Sequence, residues 1–74
     1  MEMAHILVNC DDGKDYALDD IKSIKEIRKV EKTFGPYDAV IKIEAESVQK
    51  IKNIAVDKIR NRPGIRSIIT LVTI

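Results

Sequence analysis

Seventy-four residues make one domain, 1–74, near the lower size limit for a chain that folds on a core of its own. Thirteen basic and twelve acidic residues leave a formal net charge of +1, and the two signs alternate along the chain, so the concentrated basic face of a direct nucleic-acid binder is excluded. A single cysteine rules out an internal disulfide framework, and neither a membrane-length apolar run nor a basic leader is present; the expected setting is the cytoplasm, with no membrane partner.

Isoleucine and valine carry the apolar mass and only three residues are aromatic, a bias toward strands. Met3 to Cys10 is predicted as the first strand. Ala4, Ile6, Val8 and Cys10 alternate onto a wholly apolar face and Met3, His5, Leu7 and Asn9 onto a mixed one, the pattern of an interior strand. Asp11-Asp12-Gly13-Lys14 reads as a turn, with Asp15 as N-cap of a helix. That helix carries Ala17, Leu18, Ile21 and Ile24 at three- and four-residue spacing and ends near Lys25 or Glu26.

A second strand over Ile27–Phe34 sets Val30 and Phe34 on one face, with charge on both faces as an edge strand requires. Gly35-Pro36-Tyr37-Asp38 interrupts it, because glycine tolerates positive φ and proline fixes its own. The third strand then puts Tyr37, Ala39, Ile41, Ile43 and Ala45 on a clean apolar face. Ser47 is a good N-cap for the longest helix, which runs to about Asn61 with Val48, Ile51, Ala55 and Ile59 as its stripe, widened by Ile54 and Val56. Arg62-Pro63-Gly64 stops it. In the last strand, Ile65–Ile74, one face holds Ile65, Ser67, Ile69, Leu71 and Thr73, and the other Arg66, Ile68, Thr70, Val72 and Ile74.

This order predicts an α+β, ferredoxin-like βαββαβ domain: a four-stranded antiparallel sheet, first and third strands central, with two helices on one face. The opposite face has nothing in the chain to cover it. Val40, Ile68, Val72 and Ile74 are assigned to that face, and an uncovered apolar face on so small a chain is an association surface. The expectation is a sheet-to-sheet homodimer with those four residues at the interface.

For chemistry the chain offers little. There is no Ser/His/Asp set, no glycine-rich phosphate loop and no CxxC, so an enzyme is not expected and no cofactor is implied. His5 has no second ligand beside it, and Asp11-Asp12-Gly13 lacks the remaining oxygen donors of a calcium loop; no metal is expected. Cys10 reads as core packing.

The Gly35-Pro36-Tyr37-Asp38 turn resembles the Gly-x-Tyr-Asp signature of the Lrp/AsnC transcriptional regulators, found in their C-terminal effector-binding RAM domain. The segment Pro63-Gly64-Ile65-Arg66-Ser67-Ile68-Ile69-Thr70-Leu71 is similar to that domain's Pro-Gly-Val-x-x-Thr-x-Thr close. The resemblance covers essentially the whole chain. It implies a homodimer of the dimeric α/β-barrel-like kind that closes further into tetramers, octamers or rings, and an amino-acid effector bound where dimers meet. The effector-binding residues it implies are Gly35, Tyr37, Asp38, Arg66, Ser67 and Thr70.

Full-length members carry an N-terminal helix-turn-helix domain. With a first strand starting near residue 3, the expectation is a stand-alone RAM module in transcription regulation, without a helix-turn-helix domain and able to mix with a full-length Lrp/AsnC regulator. Within the implied pocket, Asp38 either accepts from an effector's ammonium group or caps its own hairpin. Arg66 and Ser67 either hold a carboxylate, or Arg66 pairs with Glu44 or another surface acid across the sheet. Phe34 and Ile68 stand where family members often carry threonine. That loss of hydroxyls favours the alternative role, a ligand-independent assembly adaptor for a full-length regulator.

Overall fold

Two alternating strands carry the architecture. In the computed structural model, which describes residues 1–72, β1 (Glu2–Cys10) and β3 (Ala39–Ala45) lie side by side in the middle of an antiparallel sheet, flanked by β2 (Ile27–Lys32) and β4 (Ile65–Val72) in the order β2-β3-β1-β4. Ala4 faces Ile43, Ile6 faces Ile41 and Val8 faces Ala39 across the central pair. All six are fully buried under the helices. Each isoleucine so buried contributes about 1.5–3 kcal/mol, which holds the register against a one-residue slip that would expose the whole set.

The helices complete this face with Leu18, Ile21 and Ile24 from one side and Ile51, Ile54, Ala55 and Ile59 from the other. The first helix is shorter than its periodicity suggests. α1 covers only Ala17–Ile21, its N-cap position is Tyr16, and no side chain caps it. Past Ile21 the chain tightens into three-residue turns, with Ser23 N–H donating to Asp20 O and Ile24 N–H to Ile21 O, while Ser23 Oγ donates to Asp20 O at 2.7 Å. Serine's local hydrogen bond competes with helix continuation, yet the turns still deliver Ile24 to the core.

α2 (Val48–Ile54) starts where expected: Ser47 is extended and its Oγ accepts from Lys50 N–H at 3.1 Å. It continues as a π-helical segment over Ala55–Arg60, with Asn61 N–H donating to Val56 O, five residues back. The wider turn keeps Ala55 and Ile59 buried but swings Val56 out to 46% exposure, so Val56 does not widen the apolar stripe.

Both edge strands are irregular, and one irregularity corrects an expectation. Cys10 pairs with Ile65 but Asn9 pairs with Ser67, so Arg66 is an extra residue in β4. Such a bulge reverses the in-and-out phase of everything beyond it. Ile68 now opposes buried Val8, and Val72 opposes buried Ala4; both pack against the core. They are therefore on the helix-covered face, not on the bare one. The bare face of β4 holds Ile69 and Leu71, 44% and 51% exposed. Leu7 opposes both Val40 and Ile69, so Val40 lies on that face, while Ile74 lies outside the described residues. In β2 a second shift isolates Arg28 and turns Ile27 and Val30 to the core.

Candidate functional site

Antiparallel pairing brings the end of β1 together with the starts of β3 and β4. The backbone of Cys10 is held there from two sides. Its N–H donates to Asp38 Oδ2 at 2.7 Å, and its carbonyl accepts from Arg66 Nη2 at 3.2 Å. The bulge aims Arg66 in this direction, a known use of such irregularities. Asp38 is itself fixed, since its N–H donates to Val8 O at 2.9 Å and to Asn9 Oδ1 at 3.1 Å.

Two turns wall the space in front of Cys10. The β1–α1 turn is anchored by Asp11 N–H donating to Gly64 O at 2.8 Å and Lys14 N–H to Asp11 O at 2.9 Å. Gly64 has φ +95°, and a Cβ there would stand 3.2 Å from Lys14 Cβ and Lys14 O, so the close approach of the two loops needs glycine. The β2–β3 turn is closed by Thr33, whose N–H donates to Asp38 O at 3.0 Å and whose Oγ1 donates to Tyr37 O at 2.7 Å.

Between these turns lies a cavity of about 370 Å³, within the size range of small-ligand sites. Leu18 and Cys10 supply apolar lining, and Phe34 stands beside it, fully exposed. The charged lining is Asp11, Asp12, Asp15 and Asp38 against Lys32 and Arg66, four negative to two positive. Lys32 Nζ is 3.4 Å from Asp15 Oδ2. Burial pushes the Cys10 thiol above its ordinary pKa, and the charges of Asp38, Asp15 and Asp11 push it further, with Lys32 pulling down. Each of these raising influences favours the thiol over the thiolate.

Of the six residues implied as effector contacts, the cavity gathers Asp38 and Arg66. Gly35 is at the exposed tip of the turn, with φ +115°. Tyr37 is half-buried before β3 begins and does not line the cavity. Ser67 opposes Asn9 on the bare face, and Thr70 opposes buried Ile6 on the covered face. Phe34, expected on β2 beside Val30, lies past the end of that strand. The Asp38 side chain does not cap its own hairpin, because Thr33 closes that turn. Nor does Arg66 pair with Glu44, which accepts from Arg28 Nε at 3.1 Å. Asp15 is bound to Lys32 rather than capping α1.

Reading along the chain missed Lys32, Thr33 and the Asp11–Gly13 turn as cavity lining. The signal was topological: in a βαββαβ sheet the turn after β1 and the start of β4 share one end. Among the described residues no helix is long and apolar enough to cross a membrane, and no group of three or more His, Cys, Asp or Glu is placed to hold a metal ion.

Solved structures share this fold. FFRP-DM1 superposes with a TM-score of 0.94 at 25% identity over 100% of both chains. Escherichia coli AsnC gives 0.89 at 27% identity, covering 99% of this chain and 50% of AsnC; the chain spans about half the length of that regulator. A transcriptional regulator from Neisseria meningitidis, solved as an L-Met complex, gives 0.85 at 16% identity over 99% of this chain and 49% of its own, a likeness of fold. No curated protein matches the chain significantly. The family model described as the Lrp/AsnC ligand binding domain matches residues 3–74, and with fold and sequence in agreement over that span, the chain belongs to the Lrp/AsnC ligand-binding domain family.

Proposed function

We propose that the chain is an effector-binding and oligomerisation module in transcriptional regulation, and that its effector is an amino acid held in the cavity before Cys10. The observation that carries this reading is the pairing of Asp38 and Arg66 across one residue's backbone. One oxygen of Asp38 is bound to Cys10 N–H, which leaves Oδ1 to accept from an α-ammonium group. Arg66 gives one N–H to Cys10 O and keeps the rest of its donor fork for an α-carboxylate. An acceptor and a donor fork lining one space fit a zwitterion. The L-Met complex of the Neisseria regulator supports the same ligand class.

The assembly half of the proposal rests on the bare sheet face. Leu7, Val40, Ile69 and Leu71 form an apolar patch across β3, β1 and β4 that a sheet-to-sheet homodimer buries. Further closure into tetramers, octamers or rings, and mixing with a full-length Lrp/AsnC regulator, follow from the same family logic. Titration calorimetry against the twenty amino acids tests the effector, and light scattering after size exclusion tests the assembly. The expected result is heat with at least one amino acid from a particle of dimer mass or larger. Silence across all twenty favours the ligand-independent adaptor, for which the fully exposed Phe34 supplies a contact residue. A monomer at all concentrations removes the assembly half.

A further inference from the structure

We infer that contact between two copies through the bare sheet face is controlled by pH through His5: the neutral imidazole permits the contact and its protonation opposes it. This control rests on the sheet-to-sheet reading above and adds a switch that the reading does not contain.

Strand pairing sets His5 in a cross-sheet row of bases. Lys42 of β3 and Leu71 of β4 oppose it on either side, and Lys29 of β2 opposes Lys42 in turn. The adjacent row is Glu31, Val40, Leu7 and Ile69, so the bases border the apolar patch directly. His5, Lys29, Lys42, Glu31 and Val40 line one cavity of about 250 Å³. The acids of this face are engaged already. Lys29 Nζ is 3.5 Å from Glu31 Oε2, and Glu44, diagonal to His5 on β3, accepts from Arg28 Nε at 3.1 Å. Lys42 pairs with no carboxylate among the described residues. β4 turns only the uncharged Leu71 toward His5, and the flanking same-face residues of β1 are Met3 and Leu7.

A two-fold contact joins such a face to itself, so every charge on it enters twice. Arg28, Lys29 and Lys42 against Glu31 and Glu44 leave one uncancelled cation per copy while His5 is neutral. The face carries both signs, and a second copy is therefore its fitting occupant, since it brings Glu31 and Glu44 within reach of Lys42. Protonating His5 doubles the uncancelled charge on each face without adding an acceptor. Closing the sheets removes water from the row, which strengthens the repulsion. Histidine is the side chain that changes charge between about pH 5 and pH 8. The closed pair disfavours the protonated form and so binds fewer protons than two separate copies. Association accordingly weakens as pH falls.

The test measures the dimer dissociation constant of the full chain by light scattering over a dilution series, from about pH 8 down to about pH 5.5, with circular dichroism at each pH. The constant is expected to rise at least about tenfold on acidification, with the dichroism unchanged. His5→Gln, which stays neutral throughout, should flatten the response, and His5→Lys should be dissociated even at the upper pH. Should the glutamine variant fail to fold, salt on the unaltered chain decides, because screening should tighten the dimer more at the lower pH than at the upper. An equal constant at both ends, tighter association in acid, or an undiminished pH response in His5→Gln overturns the inference while the sheet-to-sheet reading survives. Loss of dichroism together with dissociation assigns the effect to acid unfolding and overturns it too. A monomer at the upper pH at every concentration overturns the sheet-to-sheet reading itself.

Discussion

At residue scale, Cys10 joins structure to charge. Its backbone ties β1 to Asp38 and Arg66, and its nearly buried side chain lies under the carboxylates that face the cavity. Burial first, then Asp38, Asp15 and Asp11, raise the thiol's pKa in the fold. Between the ordinary thiol value and the raised one, the folded chain therefore keeps a proton that the unfolded chain releases. Stability from this group is intact below the ordinary thiol range and declines as pH rises through the native value. Urea melts on the alkaline side should show this decline, and Cys10→Ala should lack it even though its stability is lower at every pH. An identical alkaline slope in both proteins would remove the assigned cause. Asp38 shows at the same scale why site residues resist labelling, since one carboxylate serves as strand clamp and as cavity wall.

At the scale of elements, the covered face depends on how the second helix begins and ends. Ser47 satisfies Lys50 N–H at its start, and replacing such a cap with alanine costs about 1 kcal/mol. For a domain of this size, Ser47→Ala should lower the melting temperature by roughly 4–8 °C, measured by circular dichroism. The π-helical end has no counterpart in the apolar spacing, because Ile54, Ala55, Val56 and Ile59 suit an α-helix equally well. Which of them turns outward depends on the path the chain must take to reach Gly64 beside Lys14. The bulge at Arg66 acts similarly on β4. A single extra residue decides which half of an evenly apolar strand meets the helices, and it also aims the guanidinium at Cys10.

For the whole molecule, that choice separates two sets of isoleucine and leucine onto opposite faces of the sheet. Ile68 packs against the core and Leu71 does not. Ile68→Ala should cost about 2 kcal/mol, at the low end for a large-to-small core change because the residue is only partly buried. Leu71→Lys should leave the unfolding free energy of the isolated monomer nearly unchanged while shifting the particle toward monomer mass. Denaturant melts at low protein concentration, paired with light scattering, check both. Equal destabilisation by the two changes would contradict the face assignment.

Order of elements, central strands and core were legible in the sequence alone. Alternation through Ala4–Val8 and Ala39–Ala45 is local information, and Ser47 and Arg62-Pro63-Gly64 mark ends by backbone chemistry that needs no partner. The Gly35–Asp38 and Pro63–Leu71 segments sufficed for the family. The bulge at Arg66, the faces of Ile68 and Leu71, and the meeting of the Asp11–Asp12 turn with Asp38 and Lys32 were decided only by the tertiary structure. A strand apolar on both faces holds no local record of which side is covered, and residues far apart in the chain become one cavity only when antiparallel pairing sets their loops at the same end of the sheet.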